Sequence, residues 1–240
     1  MNRILTVVAS AICIIYAQGA CAQRVSGFQV DEDLETATVQ STAESLFKSG
    51  RFEDAYYMYV NELAPIGDKY AQYMLGFMTY NGLGVEEDRI RASAWYRLAA
   101  ERNAPGFVAI REQMLGELNE SDLQRSDEAY LELRKKYSDI AVRMRLVRRD
   151  FEMASEIPTG SRIGSTSSSV TVIQFGNGGR TGSSKSHDSY TRSIRLRMQE
   201  HLDHITAALR IPPVDGNLTE RQLQELEEKV SVYLAQISDR

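Results

Sequence analysis

The stretch AQYMLGFMTYNGLGVEEDRIRASAWYRLAA, Ala71 to Ala100, decides the reading of the chain. Apolar residues return at intervals of three and four on either side of a glycine-containing interruption, the pattern of two short amphipathic helices joined by a turn. Gly82 and Gly84 flank a tight loop where positive φ is expected, and Asp88 stands ahead of the second helix as an N-cap or first-turn acid. Gly76 lets a neighbouring helix come close. Alanines such as Ala92 mark close helix crossings, and the bulky rings that follow, Trp95 and Tyr96, fill the space between units.

Working outward, a shift of 37 residues places Ala55 on Ala92, Met58 on Trp95, Tyr59 on Tyr96 and Leu63 on Ala100. A period in the thirties belongs to helix-turn-helix arrays, in which no unit buries its apolar face alone and neighbours must stack. The preceding unit, Ala43 to Leu63, contains LFKSGRFEDA with Gly50 between two short helices. The segment after it, Pro105 to Tyr137, is less regular. Pro105 suits a first helical turn and Ser121-Asp122-Leu123-Gln124 reads as a capping box, so this segment is expected to close the array.

The central stretch resembles a Sel1-like repeat, a relative of the tetratricopeptide repeat. The matching positions are Ala71, Leu75, Gly76, Gly82, Gly84, Val85, Asp88, Ala92, Trp95, Tyr96, Ala99 and Ala100. One departure stands out: Thr79 occupies a place where the family usually has tyrosine, and Tyr80 follows it. The resemblance implies a protein-protein interaction role without chemistry of its own, and a concave side lined by the first helix of each pair. Tyr73, Phe77 and Tyr80, four and three residues apart on that helix, are the candidate contacts for a protein or peptide partner.

The expected fold is all-α: a short α-solenoid of Sel1-like or tetratricopeptide-like helix pairs over 41–138, then a basic helical extension over 139–157. A Gly/Ser-rich linker over 158–189 and a C-terminal amphipathic helical pair over 190–240 follow. The linker holds nine serines and six glycines, with VTVIQF, Val170 to Phe175, as its one strand-like element. In the C-terminal pair, Ile194, Met198, Leu202, Ile205 and Leu209 share one helix face. Thr219 to Gln222 forms a second capping box ahead of Leu223, Leu226, Val230, Tyr233 and Ile237. Their seam is free to pack on itself, on the array, or on a second copy as a homodimer.

At the N-terminus, Arg3 is followed by an uncharged apolar run from Ile4 to Ala17 and by Ala20-Cys21-Ala22. The run falls short of the about 20 residues a transmembrane helix needs. It reads as a signal peptide over 1–22, cleaved after Ala22, which predicts a periplasmic or secreted protein. Gly19-Ala20-Cys21 also resembles the end of a lipobox, with Gln18 where an aliphatic residue is usual; a lipoprotein held by Cys21 is the alternative. Residues 23–40 are polar and acidic and read as a tether.

Composition limits the chemistry. A 240-residue chain with 42% hydrophobic and 25% charged residues is ordinary globular material. Its net charge of −5 disfavours nucleic acid. Cys13 and Cys21, the only cysteines, exclude a disulfide framework or cysteine-based zinc site in the body. No H-E-x-x-H, G-x-S-x-G or P-loop occurs, and GNGGR, Gly176 to Arg180, lacks the lysine and spacing of a phosphate loop. The expectation is a non-enzyme without cofactor or metal. His201 and His204, i and i+3 on a helix, could hold a metal with His187, but solvated histidines are the simpler reading. Arg134 to Arg149 carries seven basic residues and one acid. It is expected to form a solvated helix face, or through Arg143, Arg145, Arg148 and Arg149 to contact an anionic membrane or cell-wall surface.

Overall fold

The computed structural model describes residues 34–156 and 187–236. The signal-peptide reading, the 23–33 part of the tether, most of the Gly/Ser linker and Val170 to Phe175 lie outside them. The chain divides into two compact units at Tyr130/Leu131. All the described secondary structure is helical, and none of these helices is long and apolar enough to cross a membrane.

The first unit runs α1 (Leu34–Lys48), α2 (Phe52–Met58), α3 (Lys69–Asn81), α4 (Arg89–Ala99), α5 (Pro105–Gly116) and the start of α6 (Glu120–Tyr137). Each break has a local cause. Gly50 (φ +80°) turns the chain between α1 and α2. After α2 the helix loosens into a π turn, Tyr59–Leu63, and ends in a 3-10 turn, Ala64–Ile66, where Pro65 lacks the N–H needed to continue. Asp68 then caps α3, its Oδ1 accepting the N–H of Ala71 at 2.7 Å. Gly82 (φ +65°) closes α3 in the left-handed conformation, and Asp88 opens α4 by accepting the N–H groups of Ile90 and Arg91, each at 2.9 Å. Pro105 occupies the first turn of α5.

Packing in this unit follows the small-large order of the sequence. A Cβ on Gly76 would sit 2.9 Å from the Tyr96 ring, so α3 and α4 meet where only hydrogen fits. Ala55, Ala71, Ala92 and Ala99 are buried beside Tyr59, Leu63, Leu75, Met78, Trp95 and Leu98. Thr79, where the family usually has tyrosine, is fully buried: its hydroxyl donates to the Leu75 carbonyl at 2.7 Å and its own carbonyl accepts the Asp88 N–H at 3.0 Å. The backbone carbonyl at this position ties the loop to α3, and the threonine hydroxyl is satisfied within its own helix. Two little-exposed ion pairs cross between elements, Lys69–Glu101 and Arg97–Asp127, both 2.7 Å. The Arg97 guanidinium also lies over the Tyr130 ring at 4.1 Å.

Three expectations need correction here. Leu34 to Gln40, expected in the tether, belong to α1; Val39 is half-buried, Ala43 is buried, and the Gln40 amide donates to the Asp68 carboxylate. The Gln40 contact reaches 28 residues along the chain, a link that composition does not register. The cap of α6 is Asn119, not Ser121, because its Oδ1 accepts the Asp122 N–H at 3.0 Å and the helix starts at Glu120. The array, expected to reach 138, ends as a compact unit at Tyr130. Beyond that point α6 is held from the C-terminus: the Arg134 guanidinium covers the Tyr233 ring at 4.8 Å and donates to the Gln236 carbonyl.

The second unit comprises the end of α6, α7 (Asp139–Glu156), α8 (His187–Leu209) and α9 (Glu220–Leu234). His187 to Ser189, expected in the linker, already belong to α8. The capping box at Thr219 and Gln222 is formed, and Gly216 donates to the Gln199 side chain at 2.7 Å to fix the connecting loop. Ile140, Met144 and Val147 of α7 share one core with Met198, Leu202 and Ile205 of α8 and Leu223, Leu226 and Val230 of α9. The seam expected to be available for a homodimer is therefore filled within the unit by α7.

The two turn glycines should separate by experiment. Gly82→Ala meets only ordinary contacts and costs about 1 kcal/mol for its positive φ. A Cβ on Gly84 (φ +72°) would fall 2.4 Å from the Phe52 carbonyl carbon and oxygen, backbone that cannot step aside. Gly84→Ala should cost clearly more, about 2–4 kcal/mol. Urea unfolding followed by fluorescence of Trp95, the single tryptophan and fully buried, reads both.

Candidate functional site

Helix α3 carries the candidate contact residues and fixes them by its Asp68 and Gly82 ends. Tyr73 is 5% exposed: its ring stacks on Phe107 at 5.6 Å and leans on Tyr96 at 5.7 Å. Burial pushes its phenol above the ordinary tyrosine value, and Tyr96 is raised further by burial and by the two neighbouring phenols, Tyr73 and Tyr80. Tyr73 is thus a core residue that joins α3 to α4 and α5, a correction of the contact role expected for it. An aromatic every third or fourth position serves core and surface alike, and only the neighbouring helices decide which.

Phe77 and Tyr80 are half-buried. Phe77 packs edge-on against Phe47 of α1 at 6.1 Å between centroids, and Phe47 against Phe52 at 5.3 Å. The Arg89 guanidinium stands 5.4 Å from the Tyr80 ring centroid. Tyr70 touches Tyr73 at 6.3 Å and is itself half-buried, as are Phe47 and Phe107. Rings from α1, α3 and α5, the first helix of each pair, thus make a partly open aromatic face. Phe47 and Phe107 were missed as members of it. A signal existed: the same 37-residue shift that aligns the alanines carries Tyr70 onto Phe107.

Beside the glycine turn a cleft of about 770 Å³ opens. Tyr56, Val85, Ile90, Met114 and Leu118 give it apolar walls, and Glu86, Arg91, Glu117 and Arg125 a rim of mixed charge. Nothing in this lining has the geometry of a nucleophile held by a base.

Residues 69–103 match the family model of the Sel1 repeat. These residues are a Sel1 repeat. The repeat spans α3, the glycine turn, α4 and the 3-10 turn Ala100–Arg102, so its two helices are those joined at Gly76 and Tyr96. No curated protein and no solved structure matches the chain. Sel1 repeats generally mediate protein-protein interaction and are typically non-catalytic.

The basic run is built differently from the expected cationic surface. Arg143 is buried beside His201. Arg148 is gripped by α9, its Nε and Nη2 donating to both oxygens of Glu227 at 2.9 and 2.6 Å and its Nη1 to Glu220 at 2.8 Å; these carboxylates raise its pKa. Arg145 is exposed but donates to the Lys136 carbonyl at 2.7 Å, and Arg149 is exposed, 3.5 Å from Asp150. Arg143 and Arg148 therefore hold the second unit together, correcting their assignment as contacts for an anionic surface. The carboxylate partners of Arg148 lie 72 and 79 residues away, and the His201 ring beside Arg143 lies 58 away, all out of reach of a composition window.

The two histidines diverge as well. His204 is exposed, while His201, expected like it to be a solvated helix histidine, is buried with Arg143 as a neighbour. Among the described residues no cluster of three or more His, Cys, Asp and Glu side chains could hold a metal ion.

Asp150, fully buried, accepts Arg197 Nε and Nη2 at 2.7 Å each and so clamps α7 to α8. Asp150→Ala should lower stability by about 1.5–3 kcal/mol, because the two charge-assisted hydrogen bonds that tie α7 to α8 are lost. Arg148→Gln, on a partly solvated pair, should cost about 1 kcal/mol or less. Urea unfolding followed by circular dichroism distinguishes the two.

Proposed function

We propose that the chain is an exported protein-binding module, an adaptor or regulatory scaffold of the bacterial cell envelope, whose repeat unit engages another protein or peptide. The Sel1 repeat at residues 69–103 carries this reading. Phe77 and Tyr80, with the half-buried rings of Phe47, Tyr70 and Phe107, supply the contact face. Half-buried rings suit recognition: each is held in place by neighbours, so little side-chain entropy is lost when a partner covers the open side. The export part rests on Arg3, the apolar run Ile4 to Ala17 and the Ala20-Cys21-Ala22 exit. Gly19-Ala20-Cys21 favours a second form of the same reading, a lipoprotein anchored at Cys21.

A photo-crosslinking amino acid at position 80 in cells should trap a partner as a discrete higher-mass band, and one at position 77 the same band. Position 57 on α2, where Tyr57 is 63% exposed, serves as the control and should not trap it. Equal or absent trapping at positions 57 and 80 would remove this face from the proposal. Intact mass of the purified protein separates cleavage after Ala22 from acylation of Cys21.

A further inference from the structure

The packing of α8 on α7 contains a histidine for which partner binding by the repeat has no use. His201 is 7% exposed, and Arg143, 5% exposed, faces it with Nη1 3.4 Å from the ring Nδ1. A guanidinium has donors only, so the ring nitrogen beside it can meet it only as an acceptor, which favours the neutral imidazole with its proton on Nε2. A proton on Nδ1 would replace that acceptor by a donor and set two cations against each other away from water.

Other charges bear on the ring from both helices. Asp150 on α7 and Glu200 on α8 favour its charged form; Arg143 on α7 and Arg197 on α8 oppose it. Asp150 is already committed to Arg197 through two 2.7 Å hydrogen bonds, so its charge is largely spent there. Helix α9 meets this core through the aliphatic side chains of Leu223, Leu226 and Val230.

We propose that His201 makes the docking of α8 onto α7 sensitive to acid: taking up a proton, the ring is repelled by Arg143 and α8 loosens from the second unit. The direction follows from linkage. Burial first, and Arg143 next, bring the packed imidazole down from 6.5 to about 4. With α8 undocked it returns to about 6.5. The undocked form therefore binds more protons between these values, and docking is at full strength above pH 6.5, weakens as the pH falls through the window, and levels off below about 4. His204, exposed and three residues on, is lowered too, by burial and by Arg143, and acts in the same sense to a smaller extent.

Amide hydrogen exchange on the full chain at pH 7 and pH 5, corrected for intrinsic rates, reads the effect directly. Amides of Ile194 to Leu209 should open about tenfold or more as often at pH 5, each pKa unit being tenfold in the equilibrium. His201→Gln keeps an acceptor toward Arg143 but takes no proton, and should lose most of this response; His204→Gln should keep most of it. A response as large in His201→Gln as in the unchanged protein overturns the proposal. If that variant does not fold, the imidazole titration of the unchanged protein decides by NMR: a His201 midpoint well below 6.5 supports it, and one at 6.5 or above overturns it.

Discussion

The ring of Tyr96 against the bare Cα of Gly76 is the contact on which the repeat depends. Two helices of only thirteen and eleven residues cannot bury much surface between them unless their axes come close. Removing the Cβ from one side lets a large ring on the other reach backbone, and dispersion over that whole ring then replaces a single side-chain contact. The glycine turn that follows obeys the same logic, since Gly84 presses on the Phe52 carbonyl with no room for a Cβ. Close approach at these two places sets the position of α3, and α3 in turn carries the aromatic face.

That face shows why burial matters more than residue type. Tyr73, Phe77 and Tyr80 look equivalent along the helix. Yet Tyr73 is enclosed by Tyr96 and Phe107, whereas Phe77 and Tyr80 keep part of their rings open. A ring that is all core stabilises the fold, and one that is half open can also be covered by a partner. The difference arises because Phe107 of α5 and Tyr96 of α4 both reach the Tyr73 ring.

The second unit is organised by charge as much as by apolar burial. Asp150 with Arg197 ties α7 to α8, and Arg148 with Glu220 and Glu227 ties α7 to α9, beside the shared aliphatic core. Arg148 of α7 and Glu220 and Glu227 of α9, which look like parts of separate solvated faces in the sequence, pair across the bundle. The fit of Arg143 beside His201 depends on the protonation state of that imidazole.

By itself the sequence determined the helix pairs, their punctuation and the repeat. Gly50, Gly82 and Gly84 require positive φ, Asp88 and Thr219 cap helices by bonds within three residues, and the alternation of alanines with rings encodes the crossing. All of these act over short range, so they can be read from neighbours in the chain. Tertiary structure alone decided the rest. Tyr73 went into the core, Leu34 to Gln40 became helix, the array closed at Tyr130, and Arg143 and Arg148 turned inward. Each of these depends on a partner some thirty to a hundred residues away, such as Phe107, Asp68, Tyr233, His201 or Glu227. Helical spacing tells which side chains share a face, but the element that comes to cover that face is fixed only when the chain folds.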